Sequence, residues 1–224
     1  WRTASDNPTY PTDAGGAPGP AVTAMATLAA QGWLLTGLAD GAVRIETLAN
    51  PAGSGQLTGI RPLAAAVSSI ATPNAGTMLA VGLASGEVYL WPAAALQPAG
   101  LPASSLAAPQ QSVQKGVISA NALLQSGAAA RIRLSGHRSP VAHLAFSPHG
   151  RQVASAALDG SLSLSSLPTG RQTAQQPQAH LGAITGLIYR SDGQRLVSAG
   201  LDGSLREWDA TTGQPTARST ALVP

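Results

Sequence analysis

Four segments of this chain share one layout, in which an apolar run meets a tight turn and a second apolar run follows. They are Leu34 to Ile45, Leu79 to Trp91, Val153 to Ser165 and Leu196 to Trp208, and they turn on Asp40, Ser85, Asp159 and Asp202. The turn residues lie 45, 74 and 43 positions apart. A unit repeated at such a period cannot bury its apolar face alone and does so against its neighbours, which commits the chain to a repeat architecture. The longer middle interval is read as carrying an insertion at residues 97–127.

Each segment follows another apolar run: Ala21 to Thr27, Ala65 to Ala71, Val141 to Ser147 and Ala183 to Tyr189. Clusters such as Ser147, Pro148, His149, Gly150 and Ser191, Asp192, Gly193 separate the runs. Short apolar runs punctuated by Gly, Pro, Asp and Ser predict an all-β fold. The predicted units are 21–56, 57–136, 137–179 and 180–224, behind an extended tail at 1–20 with four Pro and three Gly. Arg131 to Leu134 is expected to return from the insertion as the outer strand of the second unit.

The final stretch, Gly200, Leu201, Asp202, Gly203, Ser204, Leu205, Arg206, Glu207, Trp208, Asp209, follows His180 at a set distance, and residues 137 to 166 repeat that spacing. In this the chain resembles the WD-repeat family. The resemblance implies a β-propeller with four recognisable blades, degenerate in sequence and of bacterial type, forming part of an about seven-bladed ring. It also implies a hydrogen-bonded set that locks each blade: a His ahead of the inner strand, a Ser or Thr on the second strand, an Asp in the turn and a Trp closing the third. Pairing these groups removes the cost of burying them and fixes how the strands stack.

On that pattern the last unit is complete, with His180, Ser198, Asp202 and Trp208. The third keeps His137, Ser155 and Asp159 but has Ser165 at the Trp position; the first keeps Thr36 and Asp40 but has Glu46. The second keeps Trp91, with Val81 and Ser85 elsewhere in the set. The incomplete units are expected to depend more on apolar packing.

Four blades of an about seven-bladed ring leave unpaired edges, and unpaired edges recruit other strands. Ring closure is therefore expected from further chain or from a partner, with this chain as a fragment of a longer protein. Its first residue, Trp1, agrees with that.

Charge divides unevenly, with −2 over residues 1–112 and +5 over the remainder. Arg131, Arg133, Arg138 and Lys115 are the candidate partner-binding cations. The arginines lie singly in turns and outer strands, where solvated charge is ordinary, and no aromatic residues interleave them for base stacking, which disfavours nucleic acid. Twelve arginines against one lysine point to a high-GC bacterial genome.

Catalytic signals are scarce. His137, His143 and His149 recur every six residues, but His137 matches the locking position, His143 an inner strand and His149 a turn, so no metal site and no cofactor are expected. The Ser, His and Asp of a nucleophilic triad are present, yet the blade lock accounts for them. Gly53 to Gly59 misses the dinucleotide spacing and reads as a loop. Cysteine is absent, and no apolar run is long enough to span a membrane. The function expected is a non-enzymatic interaction scaffold or assembly subunit with other proteins as partners. The competing expectation is a regulatory or sensory module of a longer bacterial protein whose kinase or cytochrome-type domain lies elsewhere.

Overall fold

The computed structural model describes residues 19–47, 58–60, 63–96, 132–134 and 136–221. The tail at 1–18, the insertion at 97–127, Lys115 and Arg131 lie outside the described residues.

Among the described residues sixteen strands form four antiparallel meanders, each made of consecutive strands. Blade 1 holds β1 (Val22–Leu28), β2 (Trp33–Leu38), β3 (Val43–Thr47) and β4 (Thr58–Ile60). Blade 2 holds β5 (Val67–Ala71), β6 (Met78–Leu83), β7 (Val88–Pro92) and β8 (Ile132–Leu134). Blade 3 holds β9 (Val141–Phe146), β10 (Gln152–Ala157), β11 (Leu162–Ser166) and β12 (Gln172–Gln176). Blade 4 holds β13 (Ile184–Tyr189), β14 (Arg195–Gly200), β15 (Ser204–Asp209) and β16 (Pro215–Ala221). The inner strands succeed one another in an arc, β1 packing on β5, β5 on β9 and β9 on β13.

Blade 1 runs to Ile60, past the boundary expected at residue 56, because Thr58 and Gly59 pair with Ile45 and Arg44 of β3. A loop-like composition of Gly, Ser and Thr hides a short outer strand, since three paired residues need no apolar pattern of their own. The chain leaves blade 2 after β7, and Ile132 to Leu134 returns to pair with Leu90, Tyr89 and Val88.

Core packing lies between blades rather than within them. One apolar cluster joins Leu35, Val43 and Ile45 of blade 1 to Val67, Leu79 and Val81 of blade 2. A second joins Val88 and Leu90 to Val141 and Val153, and a third joins Ala154, Ala156 and Leu164 to Ile184, Leu196 and Trp208. Each blade is therefore stabilised by its neighbours, as expected of a stacked repeat.

A backbone joint accompanies each packed interface. The N–H of Leu63 donates to Gly41 O at 3.1 Å, that of His137 to Gly86 O at 2.8 Å and that of His180 to Gly160 O at 3.1 Å. In each case a turn glycine of one blade receives the residue just ahead of the next blade's inner strand. Gly160 has φ of +81°, and a Cβ there would lie 2.2 Å from His180 O, so only glycine combines this turn with this approach.

Candidate functional site

In blade 4 the side chains of His180, Ser198, Asp202 and Trp208 meet around the β14–β15 turn. His180 Nδ1 lies 3.0 Å from Asp202 Oδ1 and its Nε2 lies 2.7 Å from Ser198 Oγ. Trp208 Nε1 donates to Ser198 Oγ at 2.8 Å. Donor inventory assigns the directions: the indole only donates and the carboxylate only accepts, so Ser198 accepts from Trp208 and donates to Nε2, while Nδ1–H donates to Asp202. His180, Ser198 and Trp208 are buried, and none of their polar hydrogens is left over.

Asp202 is the hub of the turn. Its carboxylate accepts from the N–H of Leu181 at 3.0 Å, the N–H of Ser204 at 3.1 Å and the Ser204 hydroxyl at 2.7 Å. Burial is the largest single influence on its acidity and acts to raise its pKa. The hydrogen bonds from Ser204, Leu181 and His180 together outweigh it and hold the carboxyl well below the usual carboxylate range. Arg206 adds a contact from Nη2 to Asp202 at 3.3 Å and anchors Nη1 on Ala179 O at 2.7 Å. Gly200 makes room for the ring, since a Cβ there would lie 2.3 Å from His180 Nδ1.

Blade 3 builds its network differently. His137 Nε2 lies 2.8 Å from Ser155 Oγ, but Nδ1 meets Ser161 Oγ at 2.6 Å. Asp159 instead accepts the N–H of Ser161 at 3.0 Å, and no direct hydrogen bond joins it to His137. Burial lowers the His137 pKa, only partly offset by the Asp159 charge and the Ser155 contact. Ser165, at the Trp position, is buried.

Blade 2 has an apolar version of the same layout. Leu63 stands four residues ahead of Val67, as His180 stands ahead of Ile184 and His137 ahead of Val141. Leu63, Val81 and Trp91 share one buried cluster. In the turn, Ser85 makes a long 3.4 Å contact with Glu87, which also pairs with Arg133 of β8. In blade 1, Thr36 is buried and Asp40 accepts the N–H of Ala42 at 3.0 Å. The position ahead of β1 that would carry the His lies outside the described residues.

Three members of these layouts carry no sequence expectation: Ser161, Ser204 and Leu63. The serines were signalled by the shared Asp-Gly-Ser of Asp159 to Ser161 and Asp202 to Ser204. Leu63 was signalled only by its spacing.

Of the candidate cations, Arg133 lies on the outer edge of blade 2 and Arg138 is exposed ahead of β9. Arg190 and Arg195 pair with Glu207 and Asp209 at 3.1 and 2.8 Å. His143 lies half-buried on β9, where burial lowers its pKa, and His149 sits in the following turn. Among the described residues no group of three His, Cys, Asp or Glu side chains is placed to hold a metal, and no helix is long and apolar enough to cross a membrane.

A family model described as the WD domain, G-beta repeat matches residues 130–164 and 171–209. Each match starts at the outer strand of one blade and ends on the third strand of the next. A search of curated protein sequences finds no match. Among solved structures, a chain in the crystal structure of the mitotic checkpoint complex is similar in fold, with a TM-score of 0.59 and 19% identity. The similarity covers 84% of this chain and 46% of that one, so this chain spans about half its length. Two WD repeats are thus matched in the second half of the chain, and the described residues form four four-stranded blades in one arc, a β-propeller architecture.

Proposed function

We propose that this chain is a non-catalytic protein–protein interaction scaffold, working as an assembly element of a larger complex. One observation carries the reading: Leu158, Leu181 and Leu201 are large, apolar and exposed at the same end of blades 3 and 4. Leu158 and Leu201 sit in the β10–β11 and β14–β15 turns, and Leu181 follows His180 on the connection beside them. Gly160 and Gly182 meet between these turns, which brings the leucines to one surface. Clustered exposed apolar side chains rimmed by polar groups mark contact surfaces, and exposed Arg138 contributes to such a rim. The similar solved chain belongs to a multi-component assembly, the mitotic checkpoint complex, which agrees with this role.

The Ser198–His180–Asp202 geometry superficially matches a nucleophilic triad. Ser198 is 0% exposed and Trp208 occupies its oxygen, so no substrate carbonyl can reach it. In this reading the set is a structural lock, and the same holds for His137 and Ser155 with Ser161, while Asp159 holds the turn. The test is to purify the tagged full-length protein from its native cell beside a Leu158→Asp, Leu181→Asp, Leu201→Asp variant. At least one co-purifying protein is expected to be retained by the parent and lost from the variant. Identical protein sets from the two would overturn the assignment of this surface.

A further inference from the structure

Away from the glycine joints, each blade meets the next at three further places: the first residue of its second strand, the last residue of its outer strand and the last residue of the next blade's inner strand. Between blades 3 and 4 these are Gln152, Gln176 and Tyr189. Between blades 2 and 3 they are Met78, Leu134 and Phe146. The backbone frame is common to both joints. The turn between the third and fourth strands seats a glycine on the preceding blade's outer strand, Gly170 on Ile132 and Leu134, and Gly213 on Ala174. An added Cβ would lie 2.5 Å from Ile132 in the first case and 2.3 Å from Ala174 in the second.

The side chains at these places are opposite in chemistry. Gln152 donates from Nε2 to Ala210 O at 2.8 Å and accepts the Tyr189 hydroxyl on Oε1 at 3.2 Å. Gln176 Nε2 donates to Gly213 O at 2.8 Å. The two carbonyls can only accept, which orients both amides and leaves Oε1 of Gln152 for the phenol. Met78, Leu134 and Phe146 instead belong to the apolar cluster between blades 2 and 3, and none of their side chains carries a hydrogen-bond donor. Blade 3 thus presents amides to one neighbour and a phenyl ring to the other. At the first joint Trp33 holds the first place, and Thr72, one residue past β5, donates to the Thr27 carbonyl at 2.8 Å, a third combination.

We propose that these three places select which blade stacks on which, so that blade 4, and not another blade of the same shape, seats on blade 3, and blade 3 on blade 2. The strand pattern and the glycine frame recur from blade to blade and cannot tell one neighbour from another. The side chains at the three places can. Blade 4 stacked on blade 2 would bury the Tyr189 hydroxyl against Met78 and leave the Ala210 and Gly213 carbonyls without their amides. A second blade 3 stacked on blade 3 would set Phe146 against the Gln152 amide. Each wrong pairing leaves a polar group without a partner, which is the penalty that discriminates between neighbours of equal shape. Repeat arrays fail characteristically by such misassembly. The inference is independent of the exposed leucines and of the polar set around Trp208, and its test involves neither.

The experiment is urea unfolding of the full 224-residue chain, followed by circular dichroism. Gln152→Met strands the Tyr189 hydroxyl and the Ala210 carbonyl and should lower the midpoint by on the order of 0.5 M. Adding Tyr189→Phe to it should raise the midpoint again, because the apolar combination of the neighbouring joint is then restored at these two places. The converse exchange is made between blades 2 and 3. Phe146→Tyr should lower the midpoint, and adding Met78→Gln, which puts an amide at the place of Gln152, should raise it. A hydrogen bond that mattered only between blades 3 and 4 would give rescue in the first exchange alone; selection requires it in both. In either joint, a second substitution that leaves the midpoint where it was or lowers it further would overturn the proposal, and a pair that does not fold counts as lowered.

Discussion

Blades 2 and 4 fill the same four positions with opposite chemistry. Blade 4 uses His180, Ser198, Asp202 and Trp208 joined by hydrogen bonds of 2.7 to 3.0 Å. Blade 2 uses Leu63, Val81 and Trp91 in one buried cluster, with Ser85 left at the turn. The tryptophan is common to both, and the pair it covers changes as a unit from imidazole and hydroxyl to two aliphatic side chains. Replacing both partners of a buried polar contact by apolar groups of suitable shape is nearly neutral, whereas replacing one strands the other. The two blades illustrate both halves of that asymmetry, and the lock is best regarded as a set that is either all polar or all apolar.

The largest expected effect tests what the blades share. Trp91→Ala and Trp208→Ala should each destabilise the fold by about 3–5 kcal/mol in urea titrations, since both remove a buried indole. A tryptophan that mattered in only one blade would break the comparison.

The next test separates the two chemistries. Leu63→Ala removes apolar volume and should cost about 2–5 kcal/mol, the range for a buried Leu truncation. His180→Ala leaves Ser198 and Asp202 without their partner and should cost about 1–3 kcal/mol. Adding Ser198→Val to His180→Leu should recover stability relative to either single change. If the double variant is simply additive, blade 4 is not a coupled set.

The smallest effect is in pH dependence and compares the polar blades with each other. His137 has a lowered pKa, so below about pH 6.5 the unfolded chain binds its proton first and stability falls as pH drops through that region. Asp202 is also held low, so its contribution is present above the ordinary carboxylate range and is lost as pH falls from about 4 downward. Urea midpoints across pH should show the upper step vanish in a His137→Leu, Ser155→Val variant and the lower step shrink in Asp202→Asn. A profile unchanged in both variants would remove these groups from the account.

What was legible in the sequence follows from what leaves a pattern. Asp40, Asp159 and Asp202 announce their turns because a carboxylate followed by glycine accepts the N–H two residues on, as all three do at 3.0 to 3.1 Å. The inner strands were readable because their apolar runs are bounded by turn residues. The polar set of blade 4 was readable through resemblance, and its four side chains do lie together. Leu63 was not, because one leucine among many carries no chemical signature and only its place ahead of Val67 distinguishes it. Ser161 was passed over because the Asp beside it offered the stronger hydrogen-bonding group. The backbone turn then gave the aspartate to the N–H of Ser161 and left the serine hydroxyl to reach the ring.

The glycine joints bear on where this protein can be divided. A cut placed neatly between blades, ahead of His137 or His180, severs the link from Gly86 or Gly160 and separates an apolar cluster from its other half. A cut after a third strand, where the matched repeats end, still falls between Gly86 and His137 or between Gly160 and His180, so it severs the same link and gives up the pairing of an outer strand as well. For anyone splitting, permuting or lengthening the chain, the joint is the constraint, because every cut between a turn glycine and the residue it receives ahead of the next inner strand breaks it.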